Sequence, residues 1–248
     1  MIAVFQRELK AYFSSILAWI LTAIYLFIVG VILSLSIEDF ADMSMAAMRG
    51  MGQSNVMEQL VPPLMTTMGF LLLFFLPLLT MRLFAEERRS GTLDLLLTYP
   101  LTEAQILGGK FLAALSVMGM MLAFTLSGFL LLGRMTPVEW PVLGIGYLGL
   151  VLMGGAFLAF GMWASSLTSS QLVAAVVTYG GLLMLWILSG VDRSGALKEK
   201  VGDLSALAHL SNMTKGVLDT QDLVYFLALT ALFLFLTARV LESRKWRG

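Results

Sequence analysis

The sequence predicts an all-α integral membrane protein with six transmembrane helices. Of its 248 residues, 58% are hydrophobic and only 13% are charged, which is about half the charged fraction of a soluble domain. The apolar residues are grouped in blocks that approach the roughly 20 residues needed to cross a bilayer. The 16 basic and 16 acidic side chains balance, and no concentrated basic face indicates a nucleic-acid partner. The chain has no cysteine, which excludes disulfides, thiolate catalysis and Cys-ligated metals.

Six segments have the composition of membrane spans. None of them contains Asp, Glu, Lys or Arg, except for Arg239 in the last turn of the sixth. The first is too long for a signal-peptide core, so we expect it to be retained as an anchor. The link at residues 164–171 is short, polar and uncharged, which predicts a tight turn. The segments are residues 17–36, 64–81, 111–133, 142–163, 172–189 and 224–241.

The distribution of Lys and Arg predicts that both termini are cytoplasmic. With this orientation, ten basic residues fall in cytoplasmic segments and six in outer loops. Four of those six lie in one long loop, where basic residues have less influence on orientation. The lipid bilayer is therefore the first partner that the sequence predicts.

The segment before the first span has the pattern of an amphipathic helix. Apolar residues recur at helical spacing with polar residues opposite, which predicts a helix that lies in the cytoplasmic interface. The apolar positions are Ile2, Phe5, Leu9, Tyr12 and Phe13, and the polar positions are Gln6, Arg7 and Lys10.

The loop before the sixth span, residues 190–222, has 33 residues and is too long for a plain connector. Apolar residues repeat within it at helical spacing. This pattern predicts two short extracytoplasmic helices, at residues 197–204 and 211–218, partly inserted in the outer leaflet. His209 is the only histidine, and we expect it at the surface because the sequence shows no cluster of partners for it.

The cytoplasmic loop between the second and third spans carries the main functional signal. Glu86, Glu87, Arg88 and Arg89 form a charged end to the second helix as it leaves the membrane. Gly91 is expected to break that helix, because glycine permits backbone turns that other residues avoid.

A short helix is predicted directly after this break, over residues 93–98. Thr92 is placed to cap it, and Asp94 lies near its positive N-terminus. The proline that follows ends it, since the residue before a proline avoids the helical conformation. Thr102 and Gln105 then have the spacing of a capping box at the start of the third span.

This predicted helix has more leucine than a solvated helix tolerates on its surface. The leucines either pack on the protein's own membrane interface or dock into a cytoplasmic partner and transmit motion. They are Leu93, Leu95, Leu96 and Leu97.

The stretch from residue 77 to residue 111, PLLTMRLFAEERRSGTLDLLLTYPLTEAQILGGKF, resembles the corresponding stretch of ABC-2-type permeases. The likeness is closest to the gliding-motility-associated permease subunits and looser to the nitrous-oxide-reductase-maturation permeases. Asp94 stands where these relatives usually have Glu, which shortens the side chain but keeps its charge. The amphipathic start, the six spans and the sequence LSNMTKGVLDTQDLVYF extend the resemblance over essentially the whole chain. Residues 1–248 are therefore expected to form a single ABC-2-type permease domain.

The resemblance implies a subunit that dimerises, with itself or with a similar permease, and binds two ATP-hydrolysing subunits. Those partners would hold ATP and Mg, so this chain would need no cofactor and would catalyse no reaction itself. The helix at residues 93–98 would be a coupling helix inserted into a groove of the ATPase. The family further implies the bacterial inner membrane, and some relatives have a companion subunit with a large extracytoplasmic domain. The residues assigned to coupling are Glu86, Glu87, Arg88, Gly91, Thr92, Leu93, Asp94 and Leu96.

Gly144, Gly146 and Gly149 match the pattern GxGxxG, but they lie at the start of an apolar span with no preceding strand. A dinucleotide site needs that strand, so we interpret the match as coincidence. Other small residues recur four positions apart on the third and fourth spans. Such stripes indicate close helix packing, with a substrate path between them as the alternative. They are Gly119, Ala123 and Ser127 on the third span, and Gly155 and Ala159 on the fourth.

The near absence of ionisable residues from the predicted spans favours an ATP-powered complex over an ion-coupled secondary carrier. The spans also lack the paired acids and the Ser/His or His/Glu arrangements that an intramembrane enzyme needs. A subunit that exports nothing, and instead transmits ATP-driven motion to an extracytoplasmic partner, stays open. The uncharged spans indicate either a substrate that is apolar or amphipathic, or a path that is not lined by charge.

Overall fold

The computed structural model describes residues 1–46, 60–92, 102–135, 138–188 and 204–245. These residues are predominantly helical, and they contain no β-strand. In chain order the helices are α1 (Ile2–Ser14), α2 (Ile16–Ala46), α3 (Val61–Thr80), α4 (Ala85–Arg89), α5 (Glu103–Met135), α6 (Trp140–Leu167), α7 (Gln171–Ile187), α8 (Ala206–Thr214) and α9 (Thr220–Lys245).

Five of the six predicted spans are confirmed as helices of spanning length. The predicted fifth span corresponds to α7, which is apolar but has only 17 residues. Its length of about 25 Å is less than the roughly 30 Å hydrocarbon thickness of a bilayer. Its start is fixed by Ser170, whose hydroxyl accepts a hydrogen bond from the Val173 amide at 3.4 Å. The long apolar helical segments are Ile16–Asp39, Val61–Arg89, Glu103–Arg134, Trp140–Leu167 and Thr220–Ser243.

The helix α6 lies at the centre of the bundle. It packs against α3, α5, α7, α8 and α9, and almost all of its residues from 153 to 166 are buried. The outer helices instead expose large apolar side chains, among them Phe27 of α2, Val176 of α7 and Val224 of α9. Contact with lipid suits such an apolar surface, whereas its exposure to water is unfavourable.

The helix that forms the second span does not continue into the charged residues 86–89 as the sequence suggested. α3 ends at Thr80, and residues 81–84 form a turn before the five-residue helix α4. The prediction that the charged residues 86–89 continue the second helix is therefore wrong. Ser165 of α6 binds two backbone amides at the junction of the turn and α4, and a continuous helix would use those amides itself.

The segment before α9 contains α8, which differs from the helix predicted at residues 211–218. It runs over Ala206–Thr214 and ends early because of Gly216. This glycine has φ +80°, a left-handed conformation that glycine adopts at little cost and that ends helices. The other predicted helix, residues 197–204, lies outside the described residues except for Leu204.

His209 is not the surface residue that the sequence suggested. Its Nδ1 lies 2.5 Å from Oδ1 of Asp222, and its ring stacks on Tyr225 with the centroids 4.1 Å apart. The side chains of His209 and Asp222 are only 11% and 2% exposed. The expectation failed because α8 packs against α9, which brings together two residues that no sequence pattern connects.

Candidate functional site

The charged residues at one end of the bundle converge on Lys110, near the start of α5. Its side chain is 1% exposed. The ammonium Nζ donates hydrogen bonds to Glu8 at 3.1 Å and to Glu87 at 2.9 Å. A third goes to the Leu83 carbonyl at 2.9 Å, and the Phe84 ring centroid lies 5.3 Å away. All three ammonium donors therefore have acceptors, as a buried cation requires.

Arg7 brings a second cation to the same two carboxylates. Its Nη2 lies 2.6 Å from Oε1 of Glu8 and 3.1 Å from Oε1 of Glu87. Arg7, Glu8, Glu87 and Lys110 thus form a neutral group of two cations and two anions, called the ion-pair cluster below. The cluster joins α1, α4 and α5. Such shielded pairs are costly to break, because removing one member leaves a buried charge without compensation.

The surroundings of Glu8 and Arg7 keep these two side chains charged. Burial raises the pKa of Glu8, but the neighbouring Lys110 and Arg7 together lower this pKa by more, so it lies below the usual range. Burial lowers the pKa of Arg7, but Glu8 and Glu87 together raise this pKa by more, so it lies above its ordinary value. Both side chains are therefore ionised at neutral pH.

The helix α1 confirms the predicted amphipathic helix. It packs beside α3 and α5, so that Arg7 and Glu8 reach the cluster. Gly109 of α5 permits a close approach, since a Cβ there would lie 2.8 Å from Cβ of Val4. The Tyr12 hydroxyl donates a hydrogen bond to the Leu79 carbonyl at 3.0 Å. α1 is thereby attached to both α5 and α3, which places its charged face beside α4.

The turn between α3 and α4 is held by Ser165 of α6, which is fully buried. Its hydroxyl accepts hydrogen bonds from the amides of Phe84 and Ala85 at 3.1 and 3.0 Å. The same hydroxyl donates to the Met81 carbonyl at 3.1 Å. One side chain therefore satisfies three backbone groups that the helix break would leave unpaired.

Two arginines fix α4 and the turn from outside. Arg88 donates from Nη1 to the Ser166 carbonyl of α6 at 2.6 Å. Arg82 donates to the Ser15 hydroxyl at 3.0 Å and lies 3.2 Å from the Glu86 carboxylate. α4 is thus attached to α6, and the turn is attached to the link between α1 and α2.

Gly91 redirects the chain after α4. Its φ of +70° confirms the predicted helix break, because this left-handed conformation favours glycine. The Thr92 hydroxyl lies 2.8 Å from that of Ser90 and 3.4 Å from the Glu87 carbonyl. The groups that Thr92 is predicted to cap lie outside the described residues. The predicted coupling residues Leu93, Asp94 and Leu96 lie outside them as well.

The described chain resumes at residue 102 with the predicted capping box. The Thr102 amide donates to Oε1 of Gln105 at 3.3 Å, and the Gln105 amide donates to the Thr102 hydroxyl at 3.4 Å. This reciprocal pair confirms the prediction. The segment between Thr92 and Thr102 therefore has both its departure and its return set by local hydrogen bonds.

The structure adds four residues that the sequence did not assign to this site. A lysine at the start of an apolar span and an acid among the polar residues of α1 are signals that could have identified two of them. Nothing in the sequence pairs them, since Lys110 and Glu8 are 102 positions apart. The added residues are Arg7, Glu8, Lys110 and Ser165.

The predicted packing residues have two different environments. Ala123 and Ser127 are exposed, and a Cβ on Gly119 would meet no atom within 4 Å. These positions of α5 are open in the described chain, so their role in helix packing stays a prediction. On α6, Gly155 and Ala159 are buried, and a Cβ on Gly155 would lie 3.9 Å from two α5 side chains.

This arrangement can hold helices together at a defined point. A cavity of about 320 Å³ lies beside the cluster, but the charges along it are already paired with one another. Among the described residues there is no group of three His, Cys, Asp or Glu side chains placed to hold a metal. The site therefore fixes α1, α4 and α5 as one unit close to Thr92, the last described residue before position 93.

Comparison with known proteins identifies the family. A sequence profile described as ABC-2 family transporter protein matches residues 2–246. The chain is also similar to proteins named probable multidrug ABC transporter permease YbhR from Escherichia coli strain K12 and from Escherichia coli O157:H7. The identity is 30% over 140 residues, which covers 54% of this chain but only 37% of each relative. Because the profile match extends over nearly the whole sequence, the chain belongs to the ABC-2 transporter permease family.

Proposed function

We propose that this permease couples ATP hydrolysis by a separate ATPase subunit to export across the membrane. The observation that carries the proposal is the ion-pair cluster. It holds α1, α4 and α5 together directly beside the departure point of residues 93–101. A force applied to that segment therefore meets a rigid base rather than a loose loop. Ser165 and Arg88 extend this base to α6 at the centre of the bundle.

In this proposal residues 93–98 form a coupling helix that inserts into the ATPase. Leu93 and Leu96 supply apolar contacts, and Asp94 stabilises the N-terminus of the helix. Gly91 and Thr92 set the direction in which it leaves α4. The base of the helix is fixed by Glu86, Glu87 and Arg88.

The proposed assembly contains further parts. Two ATPase subunits bind on the cytoplasmic side and hold ATP and Mg²⁺, while a second copy or a similar permease completes the membrane part. The chain has six spans in a bacterial inner membrane, with both termini cytoplasmic and α7 crossing by local thinning of the bilayer. The likeness to gliding-motility permeases supports a companion subunit with a large extracytoplasmic domain.

The test is the variant Leu96→Asp. Burying one leucine contributes about 2 kcal/mol, so this change should weaken association with the ATPase by well over tenfold. The measurement is co-purification of the ATPase subunit with the permease, together with ATP turnover of the complex. Membrane insertion and expression should be unchanged, because the variant alters no span.

Thr98→Asp is the matched control, since it adds the same charge to the same segment without removing a leucine. It should retain the partner. If Leu96→Asp also retains the partner and full ATP turnover, the segment is an interfacial connector and the coupling proposal is wrong.

The His209–Asp222 pair favours a second candidate, an ion-coupled carrier, because buried ionisable pairs bind protons in such proteins. Transport that an imposed pH gradient drives without ATPase subunits would support it. Motion transmitted to an extracytoplasmic partner without export is the third candidate. Partner-stimulated ATP turnover without efflux from proteoliposomes would identify that one.

A further inference from the structure

The side of α1 that is turned away from the bundle exposes only positive charge. The helix has three charged residues, Arg7, Glu8 and Lys10. The Glu8 side chain is 13% exposed and belongs to the ion-pair cluster, whereas the Arg7 side chain is 52% exposed. Lys10 is exposed as well, and no acidic side chain of the described chain forms an ion pair with it. The charge that α1 presents to its surroundings is therefore basic.

An apolar band follows these cations where α1 turns into α2. It consists of Phe13, Ile16 and Trp19, whose side chains are all exposed. The rings of Phe13 and Trp19 lie with their centroids 5.6 Å apart, and the Trp19 indole nitrogen donates a hydrogen bond to the Phe13 carbonyl at 2.9 Å. Tryptophan is enriched at the level of the lipid headgroups, so this pair marks the height at which α2 enters the bilayer.

Lys10 connects the two features. It lies three residues from Arg7 and three residues from Phe13, a spacing that makes side chains neighbours on a helix surface. Its alkyl stem can lie along apolar surface while its ammonium stays in the polar layer. A cation at this level complements the phosphate of a lipid headgroup. A zwitterionic headgroup carries its own cation, which cancels much of that attraction.

We propose that the outward side of α1 binds anionic phospholipids in preference to zwitterionic ones. The lipid phosphate contacts Lys10, Arg7 adds to the attraction, and the acyl chains lie against the apolar band. An amphipathic helix with basic residues on its polar side is attracted to anionic lipid in this way. Because Arg7 also belongs to the ion-pair cluster, the lipid holds α1 at the place where it is joined to α4 and α5.

The experiment uses the full chain in phosphatidylcholine nanodiscs without ATPase subunits. The probes are phosphatidylglycerol and phosphatidylcholine, each with a photoreactive diazirine at the same acyl position next to the glycerol. Mass spectrometry quantifies the adducts on residues 13–20. Phosphatidylglycerol should label this stretch more strongly than phosphatidylcholine does. High salt should reduce the preference, because it screens exposed charges.

Variants of two exposed lysines test the site. Lys10→Gln should lower labelling by phosphatidylglycerol about fivefold, the effect of one lysine at an anionic surface, and should leave labelling by phosphatidylcholine unchanged. Lys10→Arg keeps the charge and should keep the preference. Lys215→Gln is the matched control, since it makes the same change at an exposed lysine at the end of α8, beside the start of α6. It should leave labelling of residues 13–20 intact.

Three results would overturn the inference. Equal labelling of residues 13–20 by the two probes would show that α1 does not distinguish lipid charge. A preference for phosphatidylglycerol that survives Lys10→Gln would show that this lysine does not form the site. The same preference on the exposed faces of α7 and α9 would indicate general enrichment of anionic lipid around the chain.

The lipid inference and the coupling proposal can fail separately. No ATPase is present in the labelling experiment, so its failure leaves the coupling proposal standing, and failure of Leu96→Asp leaves the lipid site standing. If Lys10→Gln keeps wild-type lipid labelling but loses the ATPase on co-purification, this side of α1 binds the ATPase and the lipid inference is wrong.

Discussion

Lys110 shows how an apolar span can begin with a buried charge. Removing an ammonium from water costs several kcal/mol, and three acceptors and one aromatic ring compensate for this cost. Replacing the lysine does more than remove these contacts. It leaves the carboxylates of Glu8 and Glu87, which it now bridges, with Arg7 as their remaining cation.

We expect Lys110→Met to destabilise the protein by about 3–5 kcal/mol, the usual cost of breaking a buried ion pair. Thermal unfolding in detergent is the measurement. Lys10→Met is the control, because Lys10 lies on the exposed side of α1 and its loss should change the Tm little. Adding Glu87→Gln to Lys110→Met should recover part of the stability. A wild-type Tm for Lys110→Met would show that the cluster does not stabilise the fold.

Gly91 allows a test of the direction in which the chain continues after α4, rather than of the protein's stability. Its φ is +70°, and a Cβ there would meet no atom within 4 Å, so only the backbone conformation limits substitution. Gly91→Val should reduce ATPase association, because a β-branched residue is strained by about 1–2 kcal/mol or more in this conformation. Gly91→Asn should retain association, since Asn tolerates the left-handed region. Equal co-purification of the two variants would contradict a directing role for Gly91.

Residue-scale predictions succeeded where the chemistry is local. The break at Gly91 and the capping box of Thr102 and Gln105 each depend on residues at most three positions apart. The ion-pair cluster depends on contacts between residues that are 23, 80 and 102 positions apart in the sequence. Charge alone could not select Glu8 among the 16 acidic residues, so the cluster required the tertiary structure.

At the scale of elements, the junction of α3 and α4 is where the structure differs most from the sequence-based prediction. The sequence predicts that residues 86–89 continue the second helix beyond its span, but the helix is interrupted at residues 81–84. The interruption is stable because a side chain of another helix takes over its backbone hydrogen bonds. α4 is therefore positioned by α6 as well as by its own covalent connection to α3.

We expect Ser165→Ala to destabilise the protein by about 2 kcal/mol, since it leaves buried amides without an acceptor. Ser166→Ala is a closely matched control. The Ser166 hydroxyl donates only within its own helix, to the Trp163 carbonyl, and the Arg88 contact uses the Ser166 backbone. Its loss should cost less than that of Ser165, because it leaves no backbone group of another element without a partner. Denaturation of both variants in detergent is the measurement, and equal effects would contradict the role given to Ser165.

The existence of elements was easier to predict than their ends. Long apolar blocks specify helices regardless of context, and α2, α3, α5, α6 and α9 follow them. α7 starts at residue 171, one residue before the predicted span, because Ser170 caps it, and α8 is displaced because Gly216 ends it. Each of these boundaries depends on one residue, which averaged hydropathy does not register.

At the scale of the whole molecule, the orientation in the membrane is the main prediction. The excess of basic residues on one side, ten against six, places the ion-pair cluster in the cytoplasm and Ser194 outside. In a Ser194→Cys variant of this cysteine-free chain, a membrane-impermeant maleimide should label intact cells. Ser90→Cys should be labelled only after permeabilisation. The reverse pattern would invert the topology and would separate the cluster from any cytoplasmic ATPase.

The members of the ion-pair cluster are synthesised in a fixed order. Arg7 and Glu8 leave the ribosome first and can pair with each other as sequence neighbours. Glu87 arrives only after two spans have been made, and Lys110 arrives last, at the entrance to the third. Lys110 is therefore synthesised after the two carboxylates that it bridges. A nascent chain that stops before residue 110 contains two carboxylates and one arginine of the cluster. The cluster therefore becomes neutral only when the start of the third span has been synthesised.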